Sequence, residues 1–310
     1  MHRILVTEPE YLSEEALGVL RSVGDVTAKR VSRKELEHII RDVDVIFVRV
    51  DTKLDARMLE LAGRLKLIAS VTTGLNHIDL EAAKKKGIKV INLHGTHTVP
   101  TAEHTMALML ALSRNIPWAY DNIRQGRWER YKFIGKLLNG KTLGIIGMGR
   151  IGSQVARYAK AFGMRVVAYD PYVKSSDVAM MESLDNLLRE ADVITIHTML
   201  THETRGMIGQ KQLAEMKRDA LIINTARGEI MDIPSLLSAL ESGRIAGAAL
   251  DVFANEPVED ENDLLVKFAR EHRNLIITPH LGASTKESVR EANLEMAMAV
   301  KKELGAGANG

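Results

Sequence analysis

Thr142–Asp170 reads TLGIIGMGRIGSQVARYAKAFGMRVVAYD, and this stretch decides the fold. Thr142–Ile146 is a short apolar run suited to a strand buried on both faces, and it ends at Gly147. The turn that follows carries Gly147, Gly149 and Gly152 in G-x-G-x-x-G spacing, after which Ile151, Val155, Ala156, Ala159 and Phe162 recur at helical period. A second apolar run, Met164–Tyr169, closes on Asp170. The reading is a β-α-β unit. In such a unit Gly147 permits the tight turn, Gly149 lets backbone approach a pyrophosphate, and Gly152 lets the helix lie close on the strand. Free N–H groups at Arg150–Ser153 then face the phosphates. Asp170, eighteen residues beyond Gly152, is placed to accept hydrogen bonds from a ribose. A carboxylate there repels a 2′-phosphate, so the expected cofactor is NAD rather than NADP.

Upstream, apolar runs at Arg3–Thr7, Val43–Val50, Leu65–Val71 and Ile88–Asn92 read as strands. They alternate with amphipathic stretches, Glu14–Val23, Arg33–Arg41, Ala56–Gly63 and Leu80–Lys86, that read as helices. The alternation predicts a parallel sheet. No phosphate-loop motif occurs in this first region, which assigns it to substrate contacts. Leu93–Thr98 is a polar crossing segment; Pro100 suits the first turn of a helix, and Thr101–Ser113 is apolar enough to be core or a subunit interface. Pro117 is expected to kink or end that helix. Downstream of Asp170 the rhythm resumes with helices at Ser183–Arg189, Gln210–Met216 and Ile233–Ser242, and strands at Asp192–Thr198, Ala220–Thr225, Ala246–Val252 and Leu275–Thr278. A doubly wound sheet of six strands is expected. Lys286–Leu304 reads as one last helix, with GAGANG as a frayed tail.

A length of 310 residues suits two domains, and 45% hydrophobic with 26% charged residues supplies a sizeable core, which excludes wholesale disorder. A formal net charge of +2 gives no reason to expect a nucleic-acid or membrane-surface partner. The chain has no cysteine, so disulfides, thiolate nucleophiles and Cys-ligated metals are excluded. MHRILVTEPE lacks the apolar core of a signal peptide and no run approaches the ~18 apolar residues of a membrane span, so a soluble, cytoplasmic protein is expected.

Three polar positions fall just past strand ends, where a doubly wound sheet places its ligands: Arg227 in NTARGE, Glu256 in DVFANEP and His280 in TPHLGAST. Reducing a carbonyl by hydride needs a proton donor at the oxygen, a cation for a substrate carboxylate, and a group that stabilises the protonated donor. His280, Arg227 and Glu256 meet those needs in that order. Each alone also has a plain reading, as a hydrogen-bonded structural histidine, a local counter-charge and a turn residue before Pro257. His94, His97 and His104 invite a zinc reading, but they sit on one crossing loop and a helix start with only Glu103 as a nearby acid, and no metal is expected.

GMGRIG, AYDP, NTARGEIMD, ALDVFANEP and TPHLGAST, in this order and spacing from about Arg3 to Met298, resemble the D-isomer-specific 2-hydroxyacid dehydrogenase family. The resemblance implies an α/β fold of two doubly wound parallel-sheet domains. A Rossmann NAD-binding domain (99–283) is inserted in a flavodoxin-like substrate domain (1–98 with 284–310). It implies His280 as acid/base, Glu256 as its partner and Arg227 as substrate clamp. Cofactor contacts carried over with the glycine motif are Thr73, Arg150, Ile151, Asp170, Thr198, Thr225, Ala226, Asp251, Gly282 and Ala283. A homodimer through the Thr101–Ser113 region is implied as well.

Within the family, GRWERYKFIGKLLNGKTLGIIGMGRIG and LIASVTTGLNHIDL look most like the 3-phosphoglycerate dehydrogenase branch. That branch implies a role in serine biosynthesis, with the N–H groups of Val71, Thr72, Thr73 and Gly74 on the substrate carboxylate and Arg49 on its phosphate. The plain reading of Arg49 is a solvated strand-end charge. Departures are Val50 where the branch has serine, His97 where it often has asparagine, and Met199 and His202 where the family has prolines. No serine-sensing domain follows, so feedback through one is not expected. The alternatives within the family are a glyoxylate, hydroxypyruvate or D-lactate type reductase, which share the catalytic motifs. A non-catalytic, NAD-sensing scaffold of the corepressor kind is a third reading, and turnover of any small 2-hydroxy acid would exclude it.

Overall fold

The two ends of the chain build one unit. In the computed structural model, which describes every residue except His94, Glu259 and 307–310, Met1–His97 and the segment from Ser284 onward form one compact unit, and Thr98–Ala283 forms the other. The first unit holds β1 (His2–Val6), β2 (Gly24–Ala28), β3 (Val45–Val48), β4 (Leu67–Ser70) and β5 (Lys89–Asn92). All pair in parallel in the order β2-β1-β3-β4-β5, the flavodoxin-like arrangement. Sequence reading misses β2, because GDVTA is an edge strand with only Gly24 buried and so carries no apolar run.

Its helices Glu14–Arg21, Arg33–Ile39, Ala56–Leu61 and Leu80–Lys85 each start from a side-chain cap, Ser13, Ser32, Asp55 or Asp79. A cap of this kind contributes about 1 kcal/mol. The last helix, Lys286–Ala306, runs beyond the expected end at Leu304. Its Ala292, Met296, Ala297 and Val300 recur at helical spacing and pack, buried, with Ile4, Val6, Ala16 and Leu20. Burying side chains the size of Met296 and Val300 is worth roughly 1.5–3 kcal/mol each, which is why the chain returns to this sheet.

The second unit contains β6 (Thr142–Ile146), β7 (Arg165–Tyr169), β8 (Met180–Met181), β9 (Val193–Ile196), β10 (Leu221–Asn224), β11 (Gly247–Leu250) and β12 (Leu275–Ile277). They form a parallel sheet in the order β12-β11-β10-β9-β6-β7-β8. Seven strands stand where six were expected; the extra one, β8, is two residues long and leaves no periodic signal. Side chains alternate between faces, Ile146, Ile194 and Ile222 into one cluster and Leu143, Ile145 and Ile223 into the other. The strand order reverses between β6 and β9, the switch point at which such sheets bind ligands.

One further expectation needs correction, and one helix lies outside the sequence reading. Pro117 does not end a helix but lies in the first turn of a new one, Ile116–Arg124, entered from Asn115 at φ 56°. A proline is accommodated there because its missing N–H has no intrahelical partner to lose. Leu264–Glu271 is also helical; it buries only Leu265 and Phe268 within a polar stretch, too little pattern to read. The preceding helix, Thr98–Ser113, directs Ala102, Met106, Met109 and Leu112 into the core of its own unit. Among the described residues no helix is long and apolar enough to cross a membrane.

Candidate active site

The glycine turn joins β6 to the helix Arg150–Ala161. Gly147 sits at φ 98°, and a Cβ on Gly152 would lie 2.1 Å from the Gly147 carbonyl oxygen, so helix and strand can approach this closely only without side chains. A Cβ on Gly149 would meet nothing within 4 Å. Open space therefore lies beside Gly149 at the start of the helix. Unlike the helices begun by serine or aspartate, this one has Gly149 at its N-cap and no side-chain hydrogen bond there. Its N-terminal donors remain available to an anion. Asp170, at the end of β7, is pinned beside the turn: Oδ2 accepts from Met148 N at 2.9 Å, and Oδ1 accepts from Tyr172 N at 2.9 Å and Val173 N at 3.3 Å. Open space, uncapped N–H groups and a fixed carboxylate at the second strand end fit a dinucleotide.

At the far strand ends the structure brings Arg227, Glu256 and His280 together. His280 Nδ1 lies 2.7 Å from Glu256 Oε2. Burial would raise the Glu256 carboxyl, but the hydrogen bond and charge of His280, the Phe253 N–H at 2.8 Å and the charge of Arg227 hold it below the usual carboxylate range. An ionised carboxylate only accepts, so Nδ1 carries the proton and Nε2 is left to exchange one. Both side chains keep about three-tenths of their surface exposed, 30% for His280 and 28% for Glu256, so the pair is reachable. Arg227 is more deeply placed; burial pulls its guanidinium down, against the charges of Glu256 and Glu229, and its Nη1 donates to Ala226 O at 2.6 Å. Gly228 next to it presses on Phe253, where a Cβ would come within 2.1 Å of backbone, so the arginine loop and the Glu256 loop are packed directly together.

The remaining predicted cofactor residues of this unit are distributed around its strand ends, while Thr73 lies in the first unit. Thr225 Oγ1 pairs with Thr105 Oγ1 at 2.9 Å, and Ala226 N donates to Asn224 Oδ1 at 2.9 Å. Thr198 follows β9, its backbone N beside the Gly147 turn. Arg150 is exposed in the first helical turn and Ile151 packs on the core. Asp251 is buried beneath the Thr278–Gly282 segment, accepting from Leu281 N and Gly282 N at 2.8 Å each, and Ala283 ends the unit. Sequence reading passes over His197: its two ring nitrogens are buried without a partner, and burial pushes its pKa down to about 3, so it is a neutral structural ring.

In the first unit the loop Val71–Gly74 follows β4. The N–H of Val71 donates to Val48 O at 2.9 Å, so Val71 leaves the predicted carboxylate-binding set and Thr72, Thr73 and Gly74 remain. Thr72 Oγ1 donates to Gly74 O at 2.7 Å and Asn92 Nδ2 to Thr73 O at 2.8 Å, which shapes the turn. Arg49 is not the solvated charge of its plain reading. Its guanidinium lies over the Tyr11 ring, 4.7 Å from the centroid, and Nη1 is buried with no acceptor in reach. Its backbone N–H donates at 3.1 Å to Glu8 Oε1, which also accepts from Thr52 Oγ1 at 3.0 Å. Glu8 was not anticipated, because TEPE has the composition of an exposed turn.

His94 of the suggested metal triplet lies outside the described residues; among those described, no three His, Cys, Asp or Glu side chains are grouped to hold a metal ion.

The sequence model of the NAD-binding domain of D-isomer specific 2-hydroxyacid dehydrogenases matches residues 106–282, more than half of the chain. The chain belongs to that family. It is 45% identical over 310 residues to the D-3-phosphoglycerate dehydrogenase of Methanocaldococcus jannaschii, covering 98% of this chain but 58% of that protein. It is 41% identical over 307 residues to the hydroxypyruvate reductase of Thermotoga maritima, covering 98% and 99%. The D-lactate dehydrogenase of Aquifex aeolicus, solved with NAD and lactic acid, superposes with a TM-score of 0.86 at 33% identity, covering 99% of this chain and 96% of that one. The chain thus spans just over half the length of the first of these relatives and nearly all of the second.

Proposed function

We propose that the protein is an NAD-dependent oxidoreductase interconverting a D-2-hydroxy acid and its 2-oxo acid, with 3-phosphoglycerate and 3-phosphohydroxypyruvate as the pair, a step of serine biosynthesis. The observation that carries the chemistry is the 2.7 Å contact between His280 Nδ1 and Glu256 Oε2, which leaves Nε2 as the proton port. Bound NAD supplies the acceptor, and NADH the donor, of the hydride at substrate C2. The chain does the rest. In oxidation His280 Nε2 takes the C2 hydroxyl proton and Glu256 stabilises the resulting imidazolium; in reduction the same nitrogen returns it to the carbonyl oxygen. Arg227 offers two parallel N–H donors to the carboxylate and the adjacent oxygen. Gly147, Gly149, Arg150, Ile151 and Gly152 hold the pyrophosphate and Asp170 the ribose; Thr73, Thr198, Thr225, Ala226, Asp251, Gly282 and Ala283 line the rest of the cofactor site. Thr72, Thr73 and Gly74 take the substrate carboxylate.

Residues 1–98 with 284–310 act as the substrate domain and 99–283 as the NAD domain. Two copies pair through the region that begins with Thr101–Ser113. Since that helix faces its own core, the self-association surface is the exposed Ile116, Tyr120, Ile123, Trp128, Tyr131 and Ile134 that follow it. A cytoplasmic location accords with the cysteine-free composition and the need for an NAD pool.

The phosphate is assigned to Arg49. A second reading, an unphosphorylated acid such as hydroxypyruvate, is favoured by the charge around that arginine: Glu8 is buried beside it and Asp51 lies close enough to act on both. NADH oxidation with phosphohydroxypyruvate, hydroxypyruvate, glyoxylate and pyruvate at equal concentrations separates the two. Preference for the phosphorylated acid supports the first; preference for any other supports the second, and turnover of none overturns both.

A further inference from the structure

His104 is a histidine that the chemistry above leaves unused. It projects from the helix Thr98–Ser113, and its Nε2 lies 3.1 Å from Asp251 Oδ1 and 3.3 Å from Thr278 Oγ1. Asp251 is 1% exposed. Burial alone would raise its carboxyl, but the bonds from His104, Thr278 and the Leu281 N–H keep it below the usual range, hence ionised and accepting only. Nε2 therefore carries the hydrogen toward it.

The carboxylate serves as a template for the segment that bears His280. Oδ1 accepts from Thr278 Oγ1 at 2.5 Å and Leu281 N at 2.8 Å, Oδ2 accepts from Gly282 N at 2.8 Å, and the Asp251 carbonyl accepts from His280 N at 2.9 Å. Those bonds enclose a residue at φ 55°, a left-handed conformation that a side chain with Cβ holds only when its surroundings impose it. With His104 the carboxylate has four donors, three of them on Oδ1 and one on Oδ2. Three come from the segment that it shapes. His104 alone approaches from a different element and fixes the carboxylate to the rest of the unit.

We infer that His104 is a positioning residue: by anchoring Asp251 it holds the left-handed backbone of His280 and thereby the aim of Nε2 at the substrate oxygen. The inference rests on His280 being the acid/base. It explains why a second histidine–carboxylate pair lies on the buried side of the segment that carries the first.

The test compares His104→Leu, which removes the donor, with His104→Gln, whose amide N–H reaches about the place of Nε2. Both are assayed as the full chain for kcat and KM with the preferred 2-oxo acid, for NADH affinity by fluorescence, and for Tm. A misaimed proton donor lowers the rate of the chemical step; with displacements well below 1 Å a loss of about 10- to 100-fold in kcat is expected. The Leu variant should show that loss with KM and NADH Kd changed less than about threefold, and Gln should restore kcat to within about threefold of the unaltered protein. Turnover by the Leu variant within about twofold of the unaltered protein overturns the inference, and so does a Gln variant no better than Leu. Should His104→Leu fail to fold, Thr278→Val, which removes another Oδ1 donor, must show the same loss confined to kcat; unchanged kcat there overturns the inference equally. His280→Ala separates the two levels. If its kcat stays within about tenfold of the unaltered protein, the acid/base assignment fails; if its kcat falls about 10²-fold or more while His104→Leu is normal, the positioning role alone fails.

Discussion

The strand ends of the two units treat their buried charges in opposite ways. In Thr98–Ala283 the carboxylates at the strand ends have partners from their own chain, Asp170 with three N–H groups, Asp251 with its donors, Glu256 with His280 and Phe253 N, while the unpartnered ring of His197 is neutral and needs no counter-charge. In Met1–His97 the charges that matter are poorly served. Arg49 Nη1 is buried without an acceptor, and Glu8 is buried with only a backbone N–H and a threonine hydroxyl on one oxygen. Chemistry common to all 2-hydroxy acids can be assembled once and satisfied internally. Selection of one acid leaves groups that only the right ligand completes.

The largest effect tests the satisfied side. Replacing His280 by alanine removes the proton donor and should lower kcat by about 10²–10⁴-fold, with NADH affinity, followed by fluorescence, changed little. Loss of NADH binding in parallel would show instead that His280 belongs to the cofactor site, and the contrast between units would lose its chemical half.

Arg49→Ala tests the unsatisfied side. A hydrogen-bonded charge is worth about 1.5–3 kcal/mol, so KM for phosphohydroxypyruvate should rise roughly 10- to 100-fold. KM for glyoxylate, which has no distal group, should move less than about threefold. Equal changes for both acids would mean that Arg49 supports the loop and reads nothing.

Asp170 offers a smaller effect on the cofactor. Because it also pins Met148 and the Tyr172 turn, Asp170→Asn, which keeps one acceptor oxygen, is compared with Asp170→Ala. Alanine should weaken NAD about tenfold by isothermal titration and narrow its advantage over NADP, with asparagine between. An unaltered protein that binds NADP as well as NAD would remove the ribose argument altogether.

The same contrast explains what could be read from sequence. The glycine turn, the place of Asp170 at a strand end and the grouping of Arg227, Glu256 and His280 were legible because polar residues stand out at strand ends where the chain is otherwise apolar. Strands β2 and β8 and the helix Leu264–Glu271 were not, since each is too exposed or too short for periodicity to register. Val71 was misassigned for a different reason: sheet register, invisible in the letters, directs its N–H to Val48. Glu8 had no local signal at all, because its environment is assembled from Arg49 and Thr52, more than forty residues away.

Glu8 also yields the smallest and most discriminating prediction. Burial, and after it the charge of Asp51, holds its carboxyl above the ordinary carboxylate value, against the bonds from Thr52 and Arg49 N. A carboxyl raised in the folded state binds its proton more tightly there than in the unfolded chain. Its contribution to stability is therefore complete below the unfolded value of about 4.5, and is lost as pH rises through the folded value. Glutamine keeps the Oε1 acceptor for both donors and never ionises. Glu8→Gln should accordingly leave Tm unchanged near pH 4 and raise it at pH 7–8. A fall in Tm at pH 7–8 would mean that the ionised carboxylate is a stabilising partner of Arg49. The arginine would then already be satisfied by its own chain, and the first unit would resemble the second instead of standing against it.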